Sequence, residues 1–100
     1  MVQRPRGTRD FIPTKMNRRL AFENLLESKA VSHGFRRVQT PIFESLDLFT
    51  AKSGPGVVKH LYAFEDNSGR SLTLRPELTA PVMRMISEEM RSSPKPLRLS

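Results

Sequence analysis

The run from Leu61 to Met90 constrains the fold more than any other part of this sequence. LYAFED sets Leu61, Ala63 and Glu65 against Tyr62, Phe64 and Asp66, Asn67-Ser68-Gly69 supplies turn chemistry, and SLTL resumes with Leu72 and Leu74 on one face. A period of two on both sides of a short Gly-containing loop predicts a β-hairpin. Pro76 has no N–H to give to a ladder and closes the second strand. Thr79 then offers a hydroxyl N-cap, Pro81 suits a first helical turn, and Val82, Ile86 and Met90 recur at i, i+4 and i+8. A hairpin that runs straight into an amphipathic helix demands an α+β layering, with the helix lying against a mostly antiparallel sheet.

Upstream elements fit the same class. Residues 1–13 read as an extended lead-in broken at Gly7 and Pro13, with Asp10 as a turn former. Thr14 is a plausible N-cap, Ala21, Phe22, Leu25 and Leu26 share one side, and His33-Gly34 ends the pattern through a left-handed glycine, so a helix is expected over 14–33. FRRVQTPIFE, residues 35–44, alternates Val38, Thr40 and Ile42 against Arg37, Gln39 and Pro41, which predicts a strand. Pro41 cannot donate to a ladder, so that strand belongs at a sheet edge or against another chain. Ser45 can cap a short helix through Leu46, Leu48 and Phe49 that stops at Gly54-Pro55-Gly56. Residues 96–100, after the Pro-punctuated RSSPKP, look like the opening of a further strand without a partner. The expected fold is thus α+β, a mostly antiparallel sheet flanked by helices and incomplete within these residues. At 100 residues and 37% hydrophobic side chains the chain is one small domain at most, or part of one.

Charge points towards polyanions. The formal net charge is +7, and in the first twenty residues Arg4, Arg6, Arg9, Lys15, Arg18 and Arg19 face Asp10 alone. Such an end can meet phosphate, RNA being the obvious polyanion, or simply be a solvated face. There is no cysteine, which excludes disulfides and thiolate metal sites, and the two histidines are too far apart in sequence to suggest a zinc motif. No segment has the apolar core of a secretory signal or membrane-spanning length, so a soluble, cytoplasmic protein is the expectation, with no membrane partner.

The chemistry-bearing stretch is the corner after the hairpin. If Glu77-Leu78-Thr79 is extended, the carboxylate and the hydroxyl project to one side beside a helix N-terminus and can together accept hydrogen bonds from an ammonium group. The alternative is structural: Thr79 caps the helix while Glu77 pairs with Arg75 or with the helix dipole.

RGTRDFIP at 6–13, GFRRVQTPIFE at 34–44 and LYAFEDNSGRSLTLRPELTAPVMR at 61–84, in that order and spacing, resemble the N-terminal part of the histidyl-tRNA synthetase family, class II aminoacyl-tRNA synthetases. The resemblance covers nearly the whole chain, is strongest in TLRPELTAPV and weakest around Lys52 to Lys59. It implies that TPIFE is the motif 1 strand, with Pro41 at a homodimer interface, and that LTLRPELTA opens motif 2. There Glu77 and Thr79 would hold the α-amino group of bound histidine. Many members carry glycine where this chain has Leu78. The implied reaction joins histidine and ATP, with Mg2+, into histidyl-adenylate and then charges tRNA(His). The returning motif 2 strand with its phosphate-binding arginine, the histidine-reading motifs, motif 3 and the anticodon-binding domain are expected beyond Ser100. Catalytic residues are therefore not assignable here, no metal ligands are expected, Arg75 does not match the family's phosphate arginine, and residues 1–100 alone should form no adenylate. Two other readings remain open: the synthetase-like regulatory subunit of ATP phosphoribosyltransferase, which shares this fold, and a basic RNA-binding module.

Overall fold

The computed structural model describes residues 1–100. The chain divides into two compact units, one formed by Met1–Val38 with Arg98–Ser100 and the other by Gln39–Leu97.

In the first unit a lead-in turns at Pro5–Thr8, where the Thr8 backbone N–H and Oγ1 both donate to the Pro5 carbonyl at 3.2 and 2.5 Å. Helix α1 spans Pro13–Ser32. It starts one residue earlier than the sequence suggests, because proline's fixed φ suits the first helical position; Ile12 is the N-cap, without a side-chain cap bond, and Thr14 is already inside. Its C-terminus is as expected. Gly34 takes φ 83°, its N–H donates to Val31 O and that of Phe35 to Ala30 O, the paired bonds of a Schellman ending. Phe22, Leu25 and Leu26 do share a side, but each is more than half exposed, and no α1 residue is buried. The expected lone strand at 96–100 does find a partner: Leu99 bridges Arg36 in parallel, with Arg36 N–H donating to Arg98 O and Ser100 N–H to Arg36 O, both at 2.9 Å.

The second unit holds strand β1 (Phe43–Ser45), helix α2 (Asp47–Ser53), strands β2 (Ala63–Glu65) and β3 (Ser71–Leu74) and helix α3 (Thr79–Glu89), with a 3-10 turn over Pro55–His60. The sheet runs β1-β3-β2 and is antiparallel throughout. The hairpin forms where the sequence places it, with a first strand shorter than the alternation from Leu61 to Asp66: Glu65 pairs with Ser71, five residues connect them, and Gly69 takes φ 79°. Asp66 holds the loop. Its Oδ1 accepts the N–H of Ser68 and of Arg70, each at 2.9 Å, and Oδ2 accepts Arg70 Nε at 2.6 Å. Those donors, the Arg70 backbone N–H foremost, hold the Asp66 carboxyl below its ordinary 3.8. A depressed carboxylate stabilises the fold above its unfolded value and loses that contribution as pH falls through the lower, folded value. The protection factors of the Ser68 and Arg70 amides, with the intrinsic pH dependence of exchange divided out, should therefore fall as pH is lowered below 3.8; with Asp66→Asn that fall should be absent. Acid-independent protection in the wild-type chain would contradict this.

Three expectations need correction. The strand foreseen over 35–44 is split: Arg36 bridges Leu99 and Val38 N–H donates to Ser100 O in the first unit, the sheet of the second unit takes only Phe43–Ser45, and Pro41 lies outside both. Proline offers no N–H, and the carbonyls just before the strand are taken by Arg75 instead: Nη1 donates to Thr40 O at 2.8 Å, Thr40 Oγ1 at 3.0 Å and Pro41 O at 3.3 Å, while Arg75 N–H donates to Ile42 O. β1 is an edge strand of this sheet, but Pro41, outside it, does not impose that position. Ser45 does not cap α2; Leu46 is the N-cap residue, and α2 ends at Gly54 (φ 80°), after which the chain forms the 3-10 turn instead of a loop. Thr79 is likewise inside α3, and Leu78 is the N-cap.

Strand alternation puts Glu44, Thr73 and Ala63 on one face and Phe43, Leu72, Leu74 and Phe64 on the other. The buried residues of the sheet are polar ones of β1 and β3, while Ala63 on the same face is exposed. Thr73 is fully buried and Glu44 is 6% exposed, whereas Phe43 and Phe64, in edge-to-face contact with centroids 6.2 Å apart, are 52% and 43% exposed. Phe49 on α2 is the buried hydrophobic side chain, where α2 meets β1, the 3-10 turn and α3, and Pro81 is fully buried in the first turn of α3. No buried side-chain polar atom lacks a partner.

Candidate functional site

The corner between β3 and α3 places Glu77 in front of a helix start. Leu78 takes φ −107° and ψ −14°, which is helical and not extended, so the period-of-two argument for the Glu77 and Thr79 side chains does not hold. What brings them together is the helix N-terminus. Glu77 folds over it: Oε2 accepts the Thr79 N–H at 2.5 Å and Oε1 the Ala80 N–H at 3.1 Å. Two of the N–H groups that α3 leaves without an internal partner are thereby satisfied by one carboxylate, whose charge also suits the positive end of the helix. The cap expected from Thr79 is supplied by Glu77. Arg75 is not its partner, being engaged with Thr40 and Pro41.

Glu77 and Thr79 nonetheless line one groove, of about 970 Å3, whose apolar wall includes Phe49, Val57, Leu61 and Met83. That is ample for an amino acid and part of a nucleotide. Both residues are exposed to it. A carboxylate has about four lone-pair sites, and the helix uses chiefly two, so Glu77 retains acceptor capacity on a side chain already fixed in place.

Arg84 enters the same groove from the second turn of α3. Its Nε donates to Glu44 Oε2 at 2.8 Å and Nη2 to Glu44 Oε1 at 2.9 Å, a two-pronged pair with a carboxylate that is only 5% exposed; Nη1 reaches Glu88 Oε2 at 2.9 Å. The Glu44 hydrogen bonds, above all, raise the Arg84 guanidinium pKa, which is charged under all ordinary conditions. Sequence reading missed this pair. Glu44 shares the parity of Val38, Thr40 and Ile42, but that parity does not mark a buried face, since Thr40 is buried and Ile42 is 65% exposed; only the fold shows that Glu44 is buried and needs a cation. No group of three or more His, Asp or Glu side chains could hold a metal ion, and no helix is long and apolar enough to cross a membrane.

The architecture is that of aminoacyl-tRNA synthetases of the histidyl type and their relatives. The chain aligns with the apo histidyl-tRNA synthetase of S. aureus at a TM-score of 0.83 and 37% identity, covering 99% of this chain and 24% of that one. It aligns with an ATP phosphoribosyltransferase regulatory subunit/histidyl-tRNA synthetase from Bacillus halodurans at 0.81 and 27%, covering 99% and 26%. The family model described as Histidyl-tRNA synthetase matches residues 7–100, and the chain belongs to that family. It is 57% identical over 97 residues to the histidine–tRNA ligase of Archaeoglobus fulgidus and 54% over 98 to that of Methanospirillum hungatei, covering 97% and 98% of this chain. It spans 24% of the length of each of these curated relatives.

Proposed function

We propose that residues 1–100 form the N-terminal part of the catalytic domain of a histidine–tRNA ligase, comprising the motif 1 strand and the first half of motif 2. The observation that carries this reading is the Glu77 carboxylate, pinned by the Thr79 and Ala80 N–H groups at the mouth of a groove that Thr79 shares. In the complete enzyme Glu77 and Thr79 accept hydrogen bonds from the α-ammonium of histidine and so aim its carboxylate at ATP; a charge-assisted anchor at one end fixes the reacting end by orientation. Histidine and ATP give histidyl-adenylate and pyrophosphate, and the histidyl group then passes to the 3′ end of tRNA(His).

On the family resemblance, the arginine for the nucleotide phosphates and the site for Mg2+ are assigned to other parts of the complete protein. Arg75 and Arg84 are engaged with backbone carbonyls and with Glu44 and Glu88, and the acidic side chains form no metal cluster. Pro41, exposed just ahead of the edge strand β1, supports a motif 1 contact between two copies, since the outer edge of β1 pairs with no strand of this chain. A cytoplasmic homodimer follows from this reading. The regulatory-subunit reading is favoured by one observation, the likeness to the Bacillus halodurans protein.

Histidine-dependent exchange of pyrophosphate into ATP separates the two. The complete protein should show exchange with histidine and with none of the other standard amino acids. Histidine binding without exchange would favour the regulatory reading, and exchange with a different amino acid would overturn the proposed specificity.

A further inference from the structure

The Glu44–Arg84 pair is the one ion pair that links the sheet of the second unit to α3. Arg84 lies four residues beyond Ala80, about 6 Å along the helix from the end that carries the Glu77 cap. The guanidinium fork takes both Glu44 oxygens at 2.8 and 2.9 Å, so it fixes the rotation of α3 as well as its distance from β1. Arg84 also lines the groove beside Glu77 and Thr79, and its charge there is balanced by Glu44 and Glu88. A guanidinium released into that groove would repel an arriving ammonium.

From this geometry we infer that Glu44 is a positioning residue for the ammonium subsite, acting through Arg84: it holds the start of α3, and with it Thr79 and the N–H groups that fix Glu77, at the place where an α-ammonium binds, and it keeps the Arg84 charge out of the subsite. The inference rests on the Glu77/Thr79 reading above. A glue role alone would change stability and weaken all ligands of the groove together. A positioning role is selective for the ligand atom that the positioned groups touch.

The test uses the complete synthetase and two probes, histidine and imidazolepropionate, which keeps the ring and carboxylate but lacks the α-amino group. Glu44→Gln preserves size and removes the charge that binds the fork. It should raise the Kd for histidine about tenfold, as misplacement of a positioned group does, and leave that for imidazolepropionate within about twofold. Arg84→Lys keeps the cation and loses the fork, and should show the same selectivity; it also serves where Glu44→Gln fails to fold. Glu44→Asp retains the charge on a shorter stem and should recover part of the histidine affinity. Equal weakening of both probes, or unchanged histidine binding in folded variants, would overturn the positioning role. If Glu77→Gln itself leaves histidine binding intact, the underlying subsite reading fails. If Glu77→Gln weakens it and Glu44→Gln does not, only the present inference fails.

Discussion

Phe49→Ala should unfold the second unit at a markedly lower urea concentration than the wild-type chain. Phe49 is the buried hydrophobic side chain of the structure, at 7% exposure, and sits where α2 meets β1, the 3-10 turn and α3. Truncating a buried phenylalanine removes its transfer free energy and leaves a cavity, together about 3–5 kcal/mol. Small domains are stable by only about 5–15 kcal/mol in total, so little of the cooperative transition would survive. The exposed phenylalanines give the contrast: Phe22→Ala, at a position 61% exposed, should shift the midpoint far less. Equal effects at the two positions, read from urea unfolding of the chain, would mean that Phe49 is not the anchor of this unit.

What was legible in the sequence was local. The hairpin was readable because Asp66-Asn67-Ser68-Gly69 specifies its own turn through Asp66 and a left-handed glycine. The end of α1 was readable because Gly34 encodes its own termination. Elements that depend on distant partners were not. The strand foreseen over 35–44 is split between the Arg36 bridge to Leu99 and the ladder at Phe43–Ser45, and the Thr40 and Pro41 carbonyls between them go to Arg75, more than thirty residues away. The α3 cap moved from Thr79 to Glu77 because Leu78 turns helical one residue sooner than Thr79 capping allows, a choice that local propensity does not decide.

The candidate site divides in the same way. Glu77 and Thr79 were singled out from their residue types and from a family resemblance, and both line the groove, although the extended geometry first assumed for them is absent. The rest of the groove comes from α2, the 3-10 turn and Arg84, segments brought together only by tertiary folding, and no periodicity in the chain announces them. The sheet shows the limit of pattern reading most plainly. Its buried side chains are Glu44, paired with Arg84, and Thr73, while Phe43 and Phe64 on the other face are exposed.

Glu77→Gln should have the largest effect on ligand binding. In this structure the carboxylate has two roles, as helix cap and as a charge facing the groove, and the substitution separates them. Glutamine keeps an amide oxygen able to accept one N–H from the start of α3, so the loss of stability should stay at or below the roughly 1 kcal/mol typical of a lost cap. It has no negative charge for an ammonium. A charge-assisted hydrogen bond contributes about 1.5–3 kcal/mol, so histidine affinity should fall on the order of ten- to a hundredfold. On the proposed reading ATP should be held almost as before. Thr79→Ala should weaken histidine less, because it removes a neutral acceptor and leaves the Thr79 N–H bonded to Glu77.

Calorimetric titration of the complete protein with histidine and separately with ATP, before and after Glu77→Gln, separates the two roles of this carboxylate. If Glu77 binds the α-ammonium, the histidine Kd rises on the order of ten- to a hundredfold with ATP binding and melting temperature nearly unchanged. Unchanged histidine affinity together with a lowered melting temperature would contradict that binding role, and would leave Glu77 as a helix cap and nothing more.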